Sequence, residues 1–188
     1  ETGILVHDNT CEWASPVFAI PKNEPGEVNL ICDYRKLNAV TKLGTQIIDN
    51  MQEMLDTAAT WKYIVTLDMR QSYSQCALSP TSQEKAALAT SSGVLRPTRV
   101  QFGLKAAPAH FTRLVRSTLK GIPNVQTYID DCVYGAETQE ELLKITDQVF
   151  ERFANANLRL NPKKCQFGRR KTTILGHEIT ANGLRPQQ

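Results

Sequence analysis

The stretch Asn124-Val-Gln-Thr-Tyr-Ile-Asp-Asp-Cys-Val-Tyr134 carries two adjacent carboxylates in the middle of a run of β-prone residues. Branched and aromatic side chains on both sides of the acids favour half-buried strands, because such side chains pack well on a pleated surface. This pattern predicts a hairpin with Asp130 and Asp131 at its turn. Two neighbouring anions repel each other unless water or a cation screens them. The acids therefore form either a solvated turn or part of a cation site.

A third acid upstream favours the cation site. Residues 62–68 alternate in a way that predicts a strand ending at Asp68. Pro108 begins a predicted helix before the hairpin, and a capping box at Thr138 begins another after it. The order β-α-β-β-α-β predicts a small sheet that brings Asp68 beside the Asp130–Asp131 turn. Carboxylate oxygens suit Mg²⁺ or Mn²⁺, and two such ions about 4 Å apart serve in-line phosphoryl transfer.

Weaker patterns complete the predicted order of elements. Extended runs at residues 13–21 and 27–35 flank a Pro-Gly turn, which predicts a hairpin with Lys22 near its tip. A helix is predicted over residues 49–59, and Pro80 marks a loop. The last predicted strands are residues 158–160 and the single run 172–180. An Asn-Gly turn follows that run.

Composition and charge limit the possible functions. The chain has 188 residues and a net charge of +3, and its five cysteines are dispersed, which indicates reduced thiols. No apolar run is long enough to span a membrane, and no signal peptide is visible. A start at Glu1 in place of Met predicts a segment of a longer polypeptide. A stretch near the end of the chain contains basic residues and no acidic residue, which indicates either a solvated surface or contact with a phosphate backbone. Its basic residues are Arg159, Lys163, Lys164, Arg169, Arg170 and Lys171.

Several segments, in this order along the chain, resemble one known family. They are Ser15-Pro-Val-Phe-Ala-Ile-Pro-Lys22, Cys32-Asp-Tyr-Arg-Lys-Leu-Asn38, Leu67-Asp68, Phe102-Gly-Leu-Lys-Ala-Ala-Pro108, Tyr128-Ile-Asp-Asp131, Leu160-Asn-Pro-Lys-Lys-Cys165 and Leu175-Gly-His177. The family is the reverse transcriptases of gypsy-type long-terminal-repeat retroelements, and more distantly the retroviral enzymes. A lone Tyr-x-Asp-Asp is weak evidence, whereas this ordered series covers nearly the whole chain.

The resemblance implies a fold and a division into domains. The implied fold is α+β, with a polymerase fingers hairpin and a split β-α-β (ferredoxin-like) palm that has an antiparallel sheet with helices on one face. Fingers would comprise residues 1–60 and 81–107, and the palm residues 61–80, with the first catalytic Asp, and 108–171. Residues 172–188 would form a hairpin like a primer grip. The thumb, connection and RNase H regions would lie outside the 188 residues.

The same resemblance implies roles for individual residues. Asp68 and Asp130 would bind two Mg²⁺ or Mn²⁺ ions, with Asp131 in support and the Met69 carbonyl as a further ligand. The implied nucleotide-binding residues are Lys22 at the triphosphate, Tyr73 as a gate against the ribose 2'-hydroxyl, and Phe102. The implied template and primer contacts are Asp33, Arg35, Gly103, Pro108, Leu175, Gly176 and His177. Either Lys163 or Lys164 would supply a proton to pyrophosphate.

Two main functional hypotheses follow. The first is an RNA-directed DNA polymerase core that acts on a primed RNA or DNA template and deoxynucleoside triphosphates. It would work away from membranes, inside the cell in the cytoplasmic particle of an active element, with its oligomeric state undefined. The second is a catalytically silent, truncated or domesticated remnant that binds nucleic acid. It is motivated by Asn29, which stands where the family usually has Arg, by an altered motif around Tyr73, and by the missing thumb. A third class, a small RNA-binding module, ranks lower because its aromatic strand motif is missing.

Overall fold

The computed structural model describes residues 3–21, 28–44, 51–128, 131–180 and 183–186. Its elements in chain order are β1 (Leu5–His7), β2 (Ser15–Pro21), β3 (Val28–Cys32), α1 (Arg35–Val40), α2 (Met51–Ala58), β4 (Tyr63–Asp68), a 3₁₀ turn (Ser72–Gln75), α3 (Pro80–Lys85), β5 (Leu88–Thr90), β6 (Gly93–Pro97), α4 (Ala107–Leu119), β7 (Val125–Tyr128), β8 (Asp131–Ala136), α5 (Gln139–Asn155), β9 (Gln166–Arg169), β10 (Lys171–Ile174), β11 (His177–Thr180) and β12 (Gly183–Pro186). The chain divides into two compact units, Glu1–Gln46 with Gln71–His110, and Ile47–Arg70 with Phe111–Gln188. The mixed helices and antiparallel strands confirm the predicted α+β class.

The first unit is built on a five-stranded sheet in the order β1-β6-β5-β2-β3. All neighbouring strands are antiparallel except β2 and β5, which run parallel. Tyr34 is buried in the core of this unit, and its hydroxyl donates a hydrogen bond to the Ala86 carbonyl at 2.9 Å. That bond satisfies the polar end of an otherwise apolar buried side chain. The predicted hairpin is present as β2 and β3, whereas its Pro-Gly turn lies outside the described residues.

The predicted β-α-β-β-α-β order is present as β4, α4, β7, β8, α5 and β9, which lie in the second unit except for the first four residues of α4. Its four strands lie in the order β7-β8-β4-β9, and each neighbouring pair is antiparallel. Helix α5 packs on the face that carries Tyr134, whose hydroxyl lies 3.2 Å from Thr146 Oγ1. The opposite face carries Ile64 and Val133 in an apolar cluster with residues of α2, β10 and β11. Both faces of the central strand β4 are therefore buried over most of its length.

Three predicted elements are wrong in detail. Pro80 is the first residue of α3 and not a loop residue, since a missing N–H has no consequence at the start of a helix. Residues 158–160 form only an isolated antiparallel bridge between Leu160 and Met69, and β9 is the strand that completes the sheet. The run 172–180 is divided into β10 and β11 by a turn at Leu175 and Gly176, whose φ angles are +49° and +75°. Two successive positive φ values are typical of a type I′ hairpin turn.

Candidate functional site

The structure brings two acids together where β4 and β8 meet. Asp68 ends β4, and its Cα partner in the antiparallel register is Asp131, the first residue of β8. Directly opposed residues lie about 4.5–5.5 Å apart at Cα and project to the same face of a sheet. Asp131 therefore belongs to a strand and not to the predicted turn. Tyr128 is its partner on β7.

These two carboxylates are accessible to solvent. The Asp68 side chain is 37% exposed, and Asp131 is exposed. Asp130 lies outside the described residues, as does Lys22. Within the described ranges, no group of three His, Cys, Asp or Glu side chains is placed to hold a metal ion. The opposed pair alone supplies the oxygen donors that hard divalent cations prefer, so the residues present fit such an ion.

A lysine and a short turn lie against Asp68. Lys164 Nζ is 3.7 Å from Asp68 Oδ2, whereas no ion pair of Lys163 is found within the described part of the chain. The Asp68 carbonyl accepts a hydrogen bond from the Asn161 backbone N–H at 2.9 Å. Met69 is buried and forms its bridge with Leu160. The segment that follows α5 is thereby fixed against the end of β4.

In the first unit, Tyr73 and Phe102 form an aromatic pair. Their ring centroids are 5.1 Å apart, and the ring planes are inclined by 61°, which is an edge-to-face geometry. Tyr73 is half-buried in the 3₁₀ turn, while Phe102 is 58% exposed. The two rings therefore form a partly exposed apolar surface on the first unit.

A loop next to Phe102 is tied to α1 through Asn38. The Asn38 side-chain amide donates to the Gly103 carbonyl at 2.8 Å, and its oxygen accepts from the Lys105 backbone N–H at 2.8 Å. Gly103 has φ +90°, which favours glycine, and a Cβ there would lie 3.4 Å from the Cys32 carbonyl. Pro108 is exposed in the first turn of α4. Asn38 was missing from the predicted site residues because its partners lie 65 and 67 positions away.

Asp33 and Arg35 form an ion pair on the surface of the first unit. The Arg35 guanidinium donates from Nε and Nη2 to the two Asp33 carboxylate oxygens, at 2.8 Å and 2.6 Å for the shorter contacts. These bonds, followed by one from the Arg35 backbone N–H, lower the pKa of the Asp33 carboxyl to about 2. The Arg35 side chain is 88% exposed, so the outer side of the guanidinium faces solvent.

The last predicted contacts lie in a three-stranded sheet of the second unit, ordered β10-β11-β12. Leu175 and Gly176 form the β10–β11 turn, and His177 Nδ1 lies 3.1 Å from the Leu175 carbonyl oxygen. An ion pair of 2.7 Å between Lys171 and Glu178 joins the two strands. Among the described residues, no helix is both long and apolar enough to cross a membrane.

The split β-α-β antiparallel sheet with opposed acids at a strand end agrees with the polymerase-domain fold that the sequence resemblance implies. Comparison with known proteins then identifies the family. The model of the reverse transcriptase (RNA-dependent DNA polymerase) family matches residues 20–179, and the chain belongs to this family. Reverse transcriptases are nucleotidyltransferases that depend on metal ions.

Similar proteins come from retroelements and retroviruses. The chain is 31% identical to the retrovirus-related Pol polyprotein from transposon 297 of Drosophila melanogaster over 97% of its length, and 30% identical to that from transposon 412 over 97%. It spans only 18% and 15% of those two polyproteins. A structure of the foamy viral protease-reverse transcriptase with double-stranded DNA is similar at TM-score 0.87 and 29% identity, covering 98% of this chain and 38% of that one. A second foamy viral structure, with an RNA/DNA hybrid, gives 0.86 and 28%, covering 97% and 24%.

Proposed function

We propose that the chain is the polymerase core of a retroelement reverse transcriptase, which adds deoxynucleotides to a primer 3'-hydroxyl on an RNA or DNA template. The observation that carries this proposal is the register of Asp68 against Asp131 in a chain that belongs to the reverse transcriptase family. Similar foamy viral proteins bind double-stranded DNA and an RNA/DNA hybrid, which supports a nucleic-acid duplex as the partner here. The same proposal places the chain in the cytoplasmic particle of an active element.

The acids at the end of β4 and before and at the start of β8 in the sequence would hold the metal ions. We assign Asp68, Asp130 and the Met69 carbonyl as ligands of two Mg²⁺ or Mn²⁺ ions, with Asp131 in support. Bound there, the ions would supply the Lewis acidity that in-line phosphoryl transfer requires. Asp68 and Asp131 stand on one face, so their charges concentrate at one place and repel each other when uncompensated. That repulsion is the physical reason for the site to take up cations.

Lys164 is the better of the two candidate proton donors. Its ammonium is already 3.7 Å from the Asp68 carboxylate and still 67% exposed. A charged lysine in that place can donate a proton to a departing pyrophosphate oxygen, which would otherwise leave with excess negative charge. Lys163 is exposed, and no ion pair directs it toward the acids in the described structure.

The fingers would comprise residues 1–60 and 81–107, the palm residues 61–80 and 108–171, and the primer-grip-like hairpin residues 172–188. We assign Tyr73 as the gate against the 2'-hydroxyl of an incoming sugar, with Phe102 packed beside it at a ring-centroid distance of 5.1 Å. Lys22 would contact the triphosphate. Asp33 and Arg35, the Gly103 loop and Pro108 would contact the template. The Leu175–His177 turn would contact the primer end.

Primer extension on an RNA template with a DNA primer tests the proposal. With excess chain over primer and either Mg²⁺ or Mn²⁺, wild type should add deoxynucleotides, and Asp68→Asn and Asp130→Asn should abolish addition. Asp147→Asn on the exposed side of α5 is the matched control and should leave extension unchanged. Equal extension by Asp130→Asn and wild type would refute the proposal.

The second candidate function is a catalytically silent protein that binds nucleic acid. Asn29 favours it, because a guanidinium at this position of β3 would supply paired donors to a phosphate that an amide cannot match. Salt-dependent binding of an RNA–DNA hybrid without metal-dependent extension would support this candidate. Gain of extension in Asn29→Arg would instead show that this single position limits the polymerase.

A further inference from the structure

The sheet that carries Asp68 ends irregularly at this residue. Strand β9 pairs with β4 at Ile64 and Thr66, with partners Arg169 and Gln166, so one extra residue of β9 forms a bulge. The regular ladder between these strands stops before Asp68. The backbone N–H and C=O of Asp68 must find other partners, because a buried or half-buried backbone group without a hydrogen bond is destabilising.

The Cys165 thiol takes the place of the missing strand partner. The Asp68 backbone N–H donates to Cys165 Sγ at 3.4 Å, and the same thiol lies 3.8 Å from the Asp68 carbonyl oxygen, where its hydrogen can be donated. Cys165 is half-buried, and its thiol is free. One side chain therefore contacts both polar backbone groups of Asp68.

Further contacts to Asp68 come from the same turn. Asn161 N–H reaches the Asp68 carbonyl at 2.9 Å, Cys165 N–H bonds back to the Asn161 carbonyl at 3.2 Å, and Lys164 lies at the carboxylate. The hydrogen bond between Cys165 and Asn161 closes this turn, and the bond from Asn161 joins the turn to Asp68. The Cys165 thiol is its only side-chain contact to the Asp68 backbone among the described residues.

We propose that Cys165 is a positioning residue for Asp68, whose thiol fixes the backbone of this residue and thereby the direction of its carboxylate. This inference rests on the proposed function, because that function requires Asp68 to bind a metal ion. Groups that orient a metal ligand typically change metal affinity or activity by about 10–100-fold when they are removed. A small shift of a reacting group, about 1 Å, can lower a rate by about 100-fold.

The alternative role for a half-buried cysteine is that of a small apolar side chain that fills space. The two roles predict opposite orders of substitution. If Cys165 only fills space, Cys165→Ala should be tolerated at least as well as Cys165→Ser, because serine places an extra polar group in the same surroundings. If Cys165 positions Asp68, Cys165→Ser should retain part of the function, because its hydroxyl both accepts and donates hydrogen bonds.

The test measures Mn²⁺ binding to the 188-residue chain by electron paramagnetic resonance and hydrogen exchange of the Asp68 amide by NMR. Neither measurement needs turnover. We expect Cys165→Ala to expose the Asp68 amide to exchange and to weaken Mn²⁺ binding about 10-fold. We expect Cys165→Ser to lie between Cys165→Ala and wild type in both measurements. Cys11→Ala, at a half-buried cysteine of the first unit, is the control and should match wild type.

The outcomes separate this inference from the proposed function. Unchanged Asp68 exchange in Cys165→Ala, or unchanged Mn²⁺ affinity despite faster exchange, would overturn the positioning role while wild type still binds the ion. Tighter binding by Cys165→Ala than by Cys165→Ser would also overturn it. If wild type and Asp68→Asn bind Mn²⁺ equally weakly, the metal site itself is refuted and the positioning role with it.

Discussion

Substituting Gly135 tests how β8 is held against the rest of the second unit. Gly135 lies on β8 opposite Ile64 of β4, and a Cβ on this residue would stand 2.6 Å from three ring atoms of Trp61. Carbon atoms in contact prefer about 3.5–4.0 Å, so the ring or the strand must move by about 1 Å. Trp61 is 4% exposed and belongs to the cluster that contains Met54 and Leu55, so its ring has no free space to enter.

We expect Gly135→Ala to lower the free energy of unfolding by about 1–3 kcal/mol, the range for an extra carbon forced into a packed core. Relief of chain entropy offsets only about 0.5–1 kcal/mol of this, since alanine restricts the unfolded chain more than glycine does. Gly44→Ala is the matched control, because among the described residues no atom beyond its chain neighbours lies within 4 Å of the added Cβ. It should leave stability unchanged or raise it slightly.

Urea denaturation followed by circular dichroism measures the difference. A smaller ring should relieve the clash, so Trp61→Phe should be less destabilising in the Gly135→Ala background than in wild type, a coupling that a double-mutant cycle reports. The same displacement of β8 should reduce primer extension, because Asp131 lies four residues along this strand from Gly135. A Gly135→Ala chain as stable as wild type would refute the packing argument.

Three other changes have defined outcomes. Arg35→Gln should raise the pKa of Asp33 from about 2 toward 3.8, as measured by NMR titration of the carboxyl carbon. Because the pKa of Asp33 is lowered in the folded wild type, the stabilisation from its ion pair with Arg35 is present above pH 3.8 and is lost as the pH falls through 2. Lys164→Ala should slow single-turnover extension by about 100-fold or more, and Lys163→Ala should match wild type; the reverse order would refute the assignment. Tyr73→Ala should lower the preference for deoxynucleotides over ribonucleotides, measured as a ratio of kcat/KM values, and an unchanged ratio would exclude the gate.

Strong local patterns predicted most elements of the four-stranded sheet and its helices. Alternation over residues 62–68 gave β4 within one residue, and the Thr138 cap begins α5 as predicted, with the Glu141 N–H donating to the Thr138 hydroxyl. The position of Asp131 was less certain from sequence, because β-prone residues continue on both sides of the acids and do not mark where the turn begins. Register with β4, a long-range property, makes Asp131 a strand residue.

Features without a local signal were missed. Every residue of β9 is exposed, so the strand has no apolar alternation to reveal it. Leu175 adopts a positive φ that branched apolar residues rarely favour, and its turn lacks the usual Asn-Gly pair. The contact between Cys165 and Asp68 spans 97 positions and follows from the fold, although both residues lie in segments that resemble the family.

The form of β9 has a consequence for how the chain behaves at high concentration. An outermost strand presents a row of free backbone groups on which a strand from another molecule can add. Here that row is interrupted by a bulge, contains Gly168 at a φ of +60° and ends in Arg169, which Arg170 follows in the chain. Irregular backbone and like charge both oppose stacking of one molecule on another, so we expect this side of the sheet to resist growth into fibrils.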